Sequence, residues 1–514
     1  MPRPALRIAC VGGGPGGLSF AAQMRRANPS VEVTVLERNR PDDTFGFGVV
    51  FSDATLANLH DADPVLREAL AAHGVHWDRI EVRLKGRRLH CGGNGMAAIA
   101  RRTLLSLLQA GAAEAGAELR FETEVARLED LDGYDLVVAA DGANSRLRAQ
   151  LADALEPAVQ VAAARFIWFG TTHMFEGLTF VHERGPDGVF AVHGYPISDD
   201  VSTFIVETDE ESWRRAGLDA FDVGQPPGPS DLATKAYLEE LFDEHLEGGE
   251  LLVNNSRWGS FRTLRSARWR SGRVVLLGDA VHTAHFSVGS GTKMAMEDAV
   301  ALASAIAEHG DDLDSALAAY EERRQPQVRR IQDSARPSLS WWERFGRYHD
   351  ALEPTQFAFH FLTRALGCEK LQRRDPGFVA SVERAWLEEH HHPPLGTPLR
   401  LGAVAFPGRV LTVEELGGAR ALWLAAPAAE PGLAQAVDDL ERGVAGAPEL
   451  VAIHGGTPLT RTLLAEECRL LHGVPAVVVE DAFDRDQALR LVLSGRADAV
   501  AVPAAVLAGA EVMA

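Results

Sequence analysis

A mixed α/β fold is predicted by three features of the sequence. Apolar runs of strand length end in glycine and lead into helical periodicity, once near residue 10 and again near residue 277. Between them lies a stretch of alternating, strand-like segments, and after them a helical region gives way to short βα units. At 514 residues the chain exceeds one ordinary core and needs two or three domains. Its 46% hydrophobic and 24% charged content is that of a globular protein, neither disordered nor fibrous. A formal charge of -21 argues against nucleic acid or an anionic membrane as partner, because both select basic surface.

Residues 6–11 read as a buried parallel strand that glycines turn into a helix over residues 18–27. Gly12, Gly14 and Gly17, with Pro15 and Gly16 between them, match G-x-G-x-x-G. That spacing serves a tight turn, close approach to a pyrophosphate, and close seating of the helix on the strand. A second strand, residues 31–36, ends at Glu37, followed by Arg38. The Glu37 carboxylate is placed to accept a ribose hydroxyl. Strand, glycines, helix, strand and acid in this order read as a Rossmann-like dinucleotide site, and these residues are assigned to it.

In Phe45-Gly46-Phe47-Gly48-Val49-Val50 two glycines among apolar residues suit backbone lying against a flat ring, which adds Phe47 and Val50. Arg101 opens a helix whose Leu104, Leu105 and Leu108 share a face; at that end it either reaches a phosphate or, as it reads on its own, stands as a solvated surface arginine. Residues 119–125 and 135–140 read as strands returning to the first sheet, the second ending at Asp141. Near residue 277 an apolar strand is broken by Gly278-Asp279, and a helix begins near Gly289, Gly291, Thr292 and Lys293. Glycines at a helix start bring backbone N–H groups close to an anionic ligand, and Asp279 sits where a strand ends. This loop is read as holding a flavin.

Segments 166–169, 178–182, 189–195 and 202–207, separated by turn-forming residues, read as an antiparallel sheet. Alternation puts His193 and Tyr195 two apart on one face, either toward a ligand or on a wet face. Arg165 and Trp168 are weaker candidates, Trp168 being read as a buried structural residue.

G-x-G-x-x-G near the start, Asp141-Gly142-Ala143-Asn144-Ser145-Arg146-Leu147-Arg148, and Gly278-Asp279 stand in one order. In this order they resemble the signatures of the group A FAD-dependent aromatic hydroxylases, over residues 6–385. The resemblance implies one bound FAD, with NAD(P)H as a transient co-substrate. It places Glu37 on the adenosine ribose, Arg101 and Asp279 on the pyrophosphate and ribityl chain, and Val125 on the adenine through its backbone. It also implies O2 chemistry through a flavin C4a-hydroperoxide on a small aromatic substrate.

Residues 40–53 and 283–293 look like the salicylyl-CoA 5-hydroxylase and 2-aminobenzoyl-CoA monooxygenase subgroup, with His285 and Phe286 where most group A enzymes carry prolines. No motif names a general base, so His193 and His285 are the catalytic candidates, and Tyr195, Phe286 and Ser287 the substrate candidates. The expected substrate is an electron-rich hydroxylated aromatic or heteroaromatic ring, such as a phenol or pyridinol in natural-product tailoring, with an aromatic acyl-CoA as the alternative. A flavin halogenase lacks support, since its Gly-Trp-x-Trp-x-Ile-Pro run is missing, and a non-catalytic flavin-binding protein is the other reading.

The expected domains are an FAD-binding domain of residues 1–154 and 256–335, a substrate-binding sheet domain of 155–255, a helical region of 336–390, and a C-terminal α/β domain of 391–514. Many members of the subgroup continue into an Old Yellow Enzyme barrel, but residues 391–514 fall short of the about 250 that such a barrel needs. A degenerate remnant without FMN or catalysis is expected there, with a role in stability or in a homo-oligomer interface. His390-His391-His392 reads as linker, so no metal site is expected. Four scattered cysteines and no secretory n-region fit a cytoplasmic protein.

Overall fold

The computed structural model describes residues 6–52, 64–222, 228–285, 291–401 and 404–511. It divides into two units, Met1–Glu81 with Asn94–Glu343, and Val82–Gly93 with Arg344–Ala514. No helix among the described residues is long and apolar enough to cross a membrane.

In the first unit the chain runs through β1 (Arg7–Val11), α1 (Pro15–Ala27), β2 (Glu32–Leu36), β3 (Gly48–Ser52), α2 (Arg101–Glu114) and β4 (Leu136–Ala139). It continues through β5 (Pro157–Thr171), β6 (Leu178–Gly185), β7 (Gly188–Pro196), β8 (Ser202–Thr208), β9 (Gly259–Ser266), β10 (Val274–Leu276), α3 (Gly291–His309) and α4 (Leu313–Trp342). The strand β1 pairs in parallel with β2 on one side and β4 on the other, and β10 joins β4 in parallel. The nucleotide-type sheet predicted from the glycine motif is therefore assembled from strands far apart in the chain, including the one that ends at Gly278-Asp279. Its core is continuous with the apolar faces of α1, α2 and α3, through Leu18, Phe20, Leu104, Met294 and Leu302, all fully buried.

One strand is shorter than expected. In place of a strand over residues 119–125, pairing with β2 covers only Glu118–Arg120. Glu122 adopts the left-handed region (φ 51), which turns the chain off the sheet while Thr123 N still donates to Glu37 O.

The middle of the unit is the expected antiparallel sheet. The strand β5 pairs with β8, β8 with β7, and β7 with β6. The first half of β5 also pairs with β9, a strand that the sequence pattern does not disclose. Phe169, Val192, Phe204 and Val206 face a core with Leu238 and Phe242 on the helical side.

The second unit holds a five-stranded sheet in the order Val410–Thr412, Ala499–Val502, Ala476–Val479, Leu450–Gly455, Ala421–Ala426, with every pairing parallel. Helices Pro458–Leu471 and Arg485–Leu493 alternate with the strands. The histidine run closes a helix, His391 taking a left-handed C-cap (φ 60). Within this unit Glu466 is buried against the Tyr348 hydroxyl (2.5 Å), His360 Nε2 (3.2 Å) and Arg496 Nε (3.2 Å). Such a group is stable only because its charge and lone pairs are all engaged.

Candidate active site

The glycines after β1 are fixed by sterics. A Cβ on Gly12 would lie 2.3 Å from Ala140 O, and one on Gly17 would lie 2.1 Å from Gly12 O. Both positions let α1 sit down on the sheet, and neither has room for a side chain. Gly14 differs, since a Cβ there meets nothing within 4 Å. It caps α1 without a side-chain bond, and Pro15 follows at the first helical position, so the free N–H groups of the first turn face open space.

Gly14 lines a cavity of about 450 Å³ in the first unit. Gly142 and Gly291 line it too, and a methyl added to either would again meet nothing within 4 Å. An open cradle of glycines at a helix N-terminus fits a pyrophosphate. Glu37 stands behind the glycine turn: Gly13 N donates to Oε2 (2.7 Å), and Asn39 N and Nδ2 donate to Oε1 (2.8 Å each). The acid is thereby held in one orientation.

Arg101 and Asp279 bring opposite charges to the same cavity. Burial lowers the Arg101 pKa, and the nearby Asp279 opposes that shift. Asp279 is exposed at the cavity edge yet surrounded by protein, so burial raises its pKa while His282 and Arg101 pull it down. Its turn is braced from behind. Asp298, fully buried on α3, accepts from Gly278 N (3.1 Å), His282 Nε2 (2.7 Å) and Arg324 Nε (2.8 Å).

The antiparallel sheet also lines the cavity. His193 and Tyr195 are 4% and 2% exposed and both line the cavity, so β7 has no wet face at these positions. Burial pushes the Tyr195 hydroxyl pKa well up, with Thr203 and Arg101 opposing, so the phenol stays protonated. Trp168, expected as a structural residue, also lines the cavity; Arg165 instead pairs with Glu210 (3.0 Å). Phe166 and Phe261 stack at 4.7 Å and complete an aromatic wall with Trp168.

Of the residues assigned from sequence, Gly14, Pro15, Gly16, Gly17, Val50, Arg101, Asp279, Gly291, Thr292, His193 and Tyr195 are brought together around the cavity. Others stand off its surface. Gly12 and Glu37 shape it from behind, and Arg38 is exposed. Phe47 packs toward Gly170, Val125 packs on the core, and Lys293 pairs with Glu297 (3.4 Å). Asp141 accepts from Arg146 N (2.9 Å) and so holds the turn that carries Gly142. His285 is buried against the Phe261 ring at 4.1 Å. Phe286, Ser287 and Gly289 lie outside the described residues. Sequence reasoning named neither Phe166 nor Phe261 as a site residue: Phe166 stood only as part of the strand-like segment 166–169, and Phe261 lies in a short run, 258–264, whose one signal is its two aromatic residues.

A family model described as an FAD binding domain matches residues 5–335. A salicyloyl-CoA 5-hydroxylase of a Streptomyces species is 56% identical over 514 residues, covering 96% of this chain and 99% of that one. A 3-hydroxy-4-methyl-anthranilyl-[aryl-carrier protein] 5-monooxygenase of Streptosporangium sibiricum is 39% identical over 339 residues, 66% of this chain and 90% of its own. Among solved structures, 2-methyl-3-hydroxypyridine-5-carboxylic acid oxygenase shares the fold at a TM-score of 0.54 and 18% identity, over 66% of this chain and 93% of its own. A cradle built for a dinucleotide, facing an aromatic wall, is thus found in a chain that belongs to the FAD-dependent aromatic monooxygenases, enzymes with FAD as cofactor and NAD(P)H as co-substrate.

Proposed function

We propose that this enzyme hydroxylates the ring of an ortho-substituted aromatic acyl thioester, of the salicyloyl-CoA type, at the position para to the ortho donor. The observation that carries the reading is the 56% identity to a salicyloyl-CoA 5-hydroxylase across nearly the whole of both chains. The 39% relative is named for an anthranilyl ring on an aryl-carrier protein, again a tethered arene oxidised at position 5. Position 5 of a salicyloyl ring lies para to its hydroxyl, where that donor makes the ring most electron-rich.

The chemistry that FAD supplies when bound is the transfer of one oxygen atom from O2 to such a ring, after reduction by NAD(P)H. The protein's share is placement and exclusion of water. Gly14, Gly142, Gly291 and Thr292 would hold the dinucleotide by backbone, Glu37 the adenosine ribose, and Arg101 and Asp279 the middle of the cofactor. Phe166, Trp168 and Phe261 supply an apolar wall for the ring. Tyr195, protonated and buried, is positioned to donate to a ring or carbonyl oxygen, and His193 beside it is the candidate to take the proton from the ring hydroxyl. His285, behind Phe261, is assigned no contact with the substrate.

The test is a comparison of salicyloyl-CoA, free salicylate and a 3-hydroxypyridine, following product and NAD(P)H consumption. Salicyloyl-CoA should be hydroxylated with kcat/KM at least about tenfold above the free acid. Equal or better turnover of salicylate or of the pyridinol would overturn the thioester assignment in favour of a free ring. Tyr195→Phe should lower product formed per NAD(P)H consumed, and unchanged coupling would remove Tyr195 from the substrate contact. A cytoplasmic homo-oligomer is the accompanying reading, supported by four buried cysteines held as thiols and by a tetrameric form of the pyridine-carboxylate oxygenase.

A further inference from the structure

The loop ahead of β3 and the segment after Leu251–Leu252 are joined by one side chain. Asn254 Nδ2 donates to Thr44 O (3.0 Å) and to Gly46 O (2.9 Å), so both of its hydrogens are used on one loop. Two residues on, Ser256 is buried and its hydroxyl donates to Trp168 O (2.6 Å). The segment 254–256 therefore grips the loop with one side chain and the aromatic wall with another.

What the loop carries gives the grip its meaning. Gly46 has φ 73, and a Cβ there would lie 3.2 Å from the Trp168 ring, so backbone and indole are in close contact. Phe47 O accepts from Arg101 N (2.8 Å), at the start of α2. Gly48 lies against Tyr195 and Ile197, where a Cβ would come within 3.3 Å of the Tyr195 ring and 2.3 Å of Ile197. Gly48, Val50, Arg101, Trp168 and Tyr195 all line the cavity. The loop that packs on Trp168 and runs into Gly48 thus has its carbonyls at Thr44 and Gly46 held by a single amide.

We infer that Asn254 is a positioning residue for hydroxylation: it fixes the loop that runs into Gly48, and whose Phe47 carbonyl accepts from Arg101 N, against Trp168 and Tyr195, and so sets how the substrate ring is seated relative to the cofactor. Asn254 itself is not among the residues lining the cavity, and its effect is transmitted through the loop. The inference builds on the aromatic acyl thioester reading for its substrate but not for its geometry.

The experiment uses the full-length, FAD-loaded enzyme as wild type, Asn254→Ala, Asn254→Asp, Asn254→Gln and Ser256→Ala. Asn254→Asp keeps the shape while replacing two donors by a carboxylate that faces two carbonyl oxygens. With salicyloyl-CoA as the probe, product per NAD(P)H consumed should fall at least threefold in Asn254→Ala and Asn254→Asp, with peroxide rising to match. The substrate KM should rise several-fold while FAD content stays within twofold of wild type. Asn254→Gln, which retains both donors, should recover part of the coupling, and Ser256→Ala should show a smaller loss of the same kind.

Flavin fluorescence without substrate gives a second readout, expected to differ from wild type in the Ala and Asp variants. If wild type fails to hydroxylate salicyloyl-CoA, the substrate reading falls, and the fluorescence alone decides the role of Asn254. Should Asn254→Asp not fold, Asn254→Ala and Ser256→Ala carry the same expectation. Coupling, KM and fluorescence equal to wild type in the folded variants, whether or not their melting temperatures drop, would reduce Asn254 to a stability residue and overturn the inference.

Discussion

Gly14→Ala separates cofactor binding from folding. Gly14 has φ -78 and ψ 178, a conformation that alanine adopts without strain, and the added methyl would meet no protein atom within 4 Å. The apo protein should change by less than about 1 kcal/mol, because the smaller freedom that alanine loses on folding is offset by its poorer fit at a helix N-cap. The methyl instead projects into the cavity, in front of the first turn of α1, where the proposed site puts the pyrophosphate. Keeping the phosphate one methyl further away sacrifices one or two charge-assisted hydrogen bonds, each worth about 1.5–3 kcal/mol. About 3 kcal/mol corresponds to roughly a hundredfold weaker FAD binding. Fluorescence titration of apo protein with FAD, alongside thermal unfolding of the same apo sample, measures both sides. A variant that binds FAD as tightly as wild type would refute the placement of the pyrophosphate over Gly14.

Gly17→Ala should behave in the opposite way, because its Cβ would sit 2.1 Å from Gly12 O and force α1 off the sheet. A loss of about 1–3 kcal/mol of apo stability is expected by calorimetry, and an unchanged melting temperature would contradict it. Asp298→Ala removes the acceptor shared by Gly278 N, His282 and Arg324 and should cost about 3–5 kcal/mol in urea unfolding, together with FAD content. Retention of both would show that the Gly278-Asp279 turn holds itself. In the second unit, burial and Arg496 depress His360 from 6.5 to about 4. A depressed histidine leaves the unfolded chain to bind the proton first, so this contribution to stability is complete above about 6.5 and is lost as pH falls toward about 4. Glu466, held at about 2, adds a loss in the same direction at lower pH. Thermal unfolding of wild type between pH 7 and 5 should therefore fall more steeply than that of His360→Gln, and equal slopes would sink this assignment.

The sequence by itself determined the strand-end and glycine framework of the cavity. Gly12 and Gly17 are required by atoms of neighbouring turns and of the adjoining strand, Glu37 follows at the end of the next strand, and Asp279 ends another. Each requirement is local: a strand that must turn at once into a helix leaves room for glycine alone, and strand ends of a parallel sheet converge on one edge. The part of the cavity lined by the antiparallel sheet was decided by tertiary structure. Alternation put His193 and Tyr195 on one face but did not say what covered it, since burial of that face depends on loops and strands outside β7. Phe261 entered the wall because β9 pairs back onto β5 across about a hundred residues, a pairing that no local pattern encodes. Asn254 grips a loop more than two hundred residues earlier in the chain, through an amide whose neighbours in sequence show only a turn. Backbone conformation is constrained by adjacent residues and was legible from them, whereas side-chain partnership across the cavity exists only once the two sheets face each other.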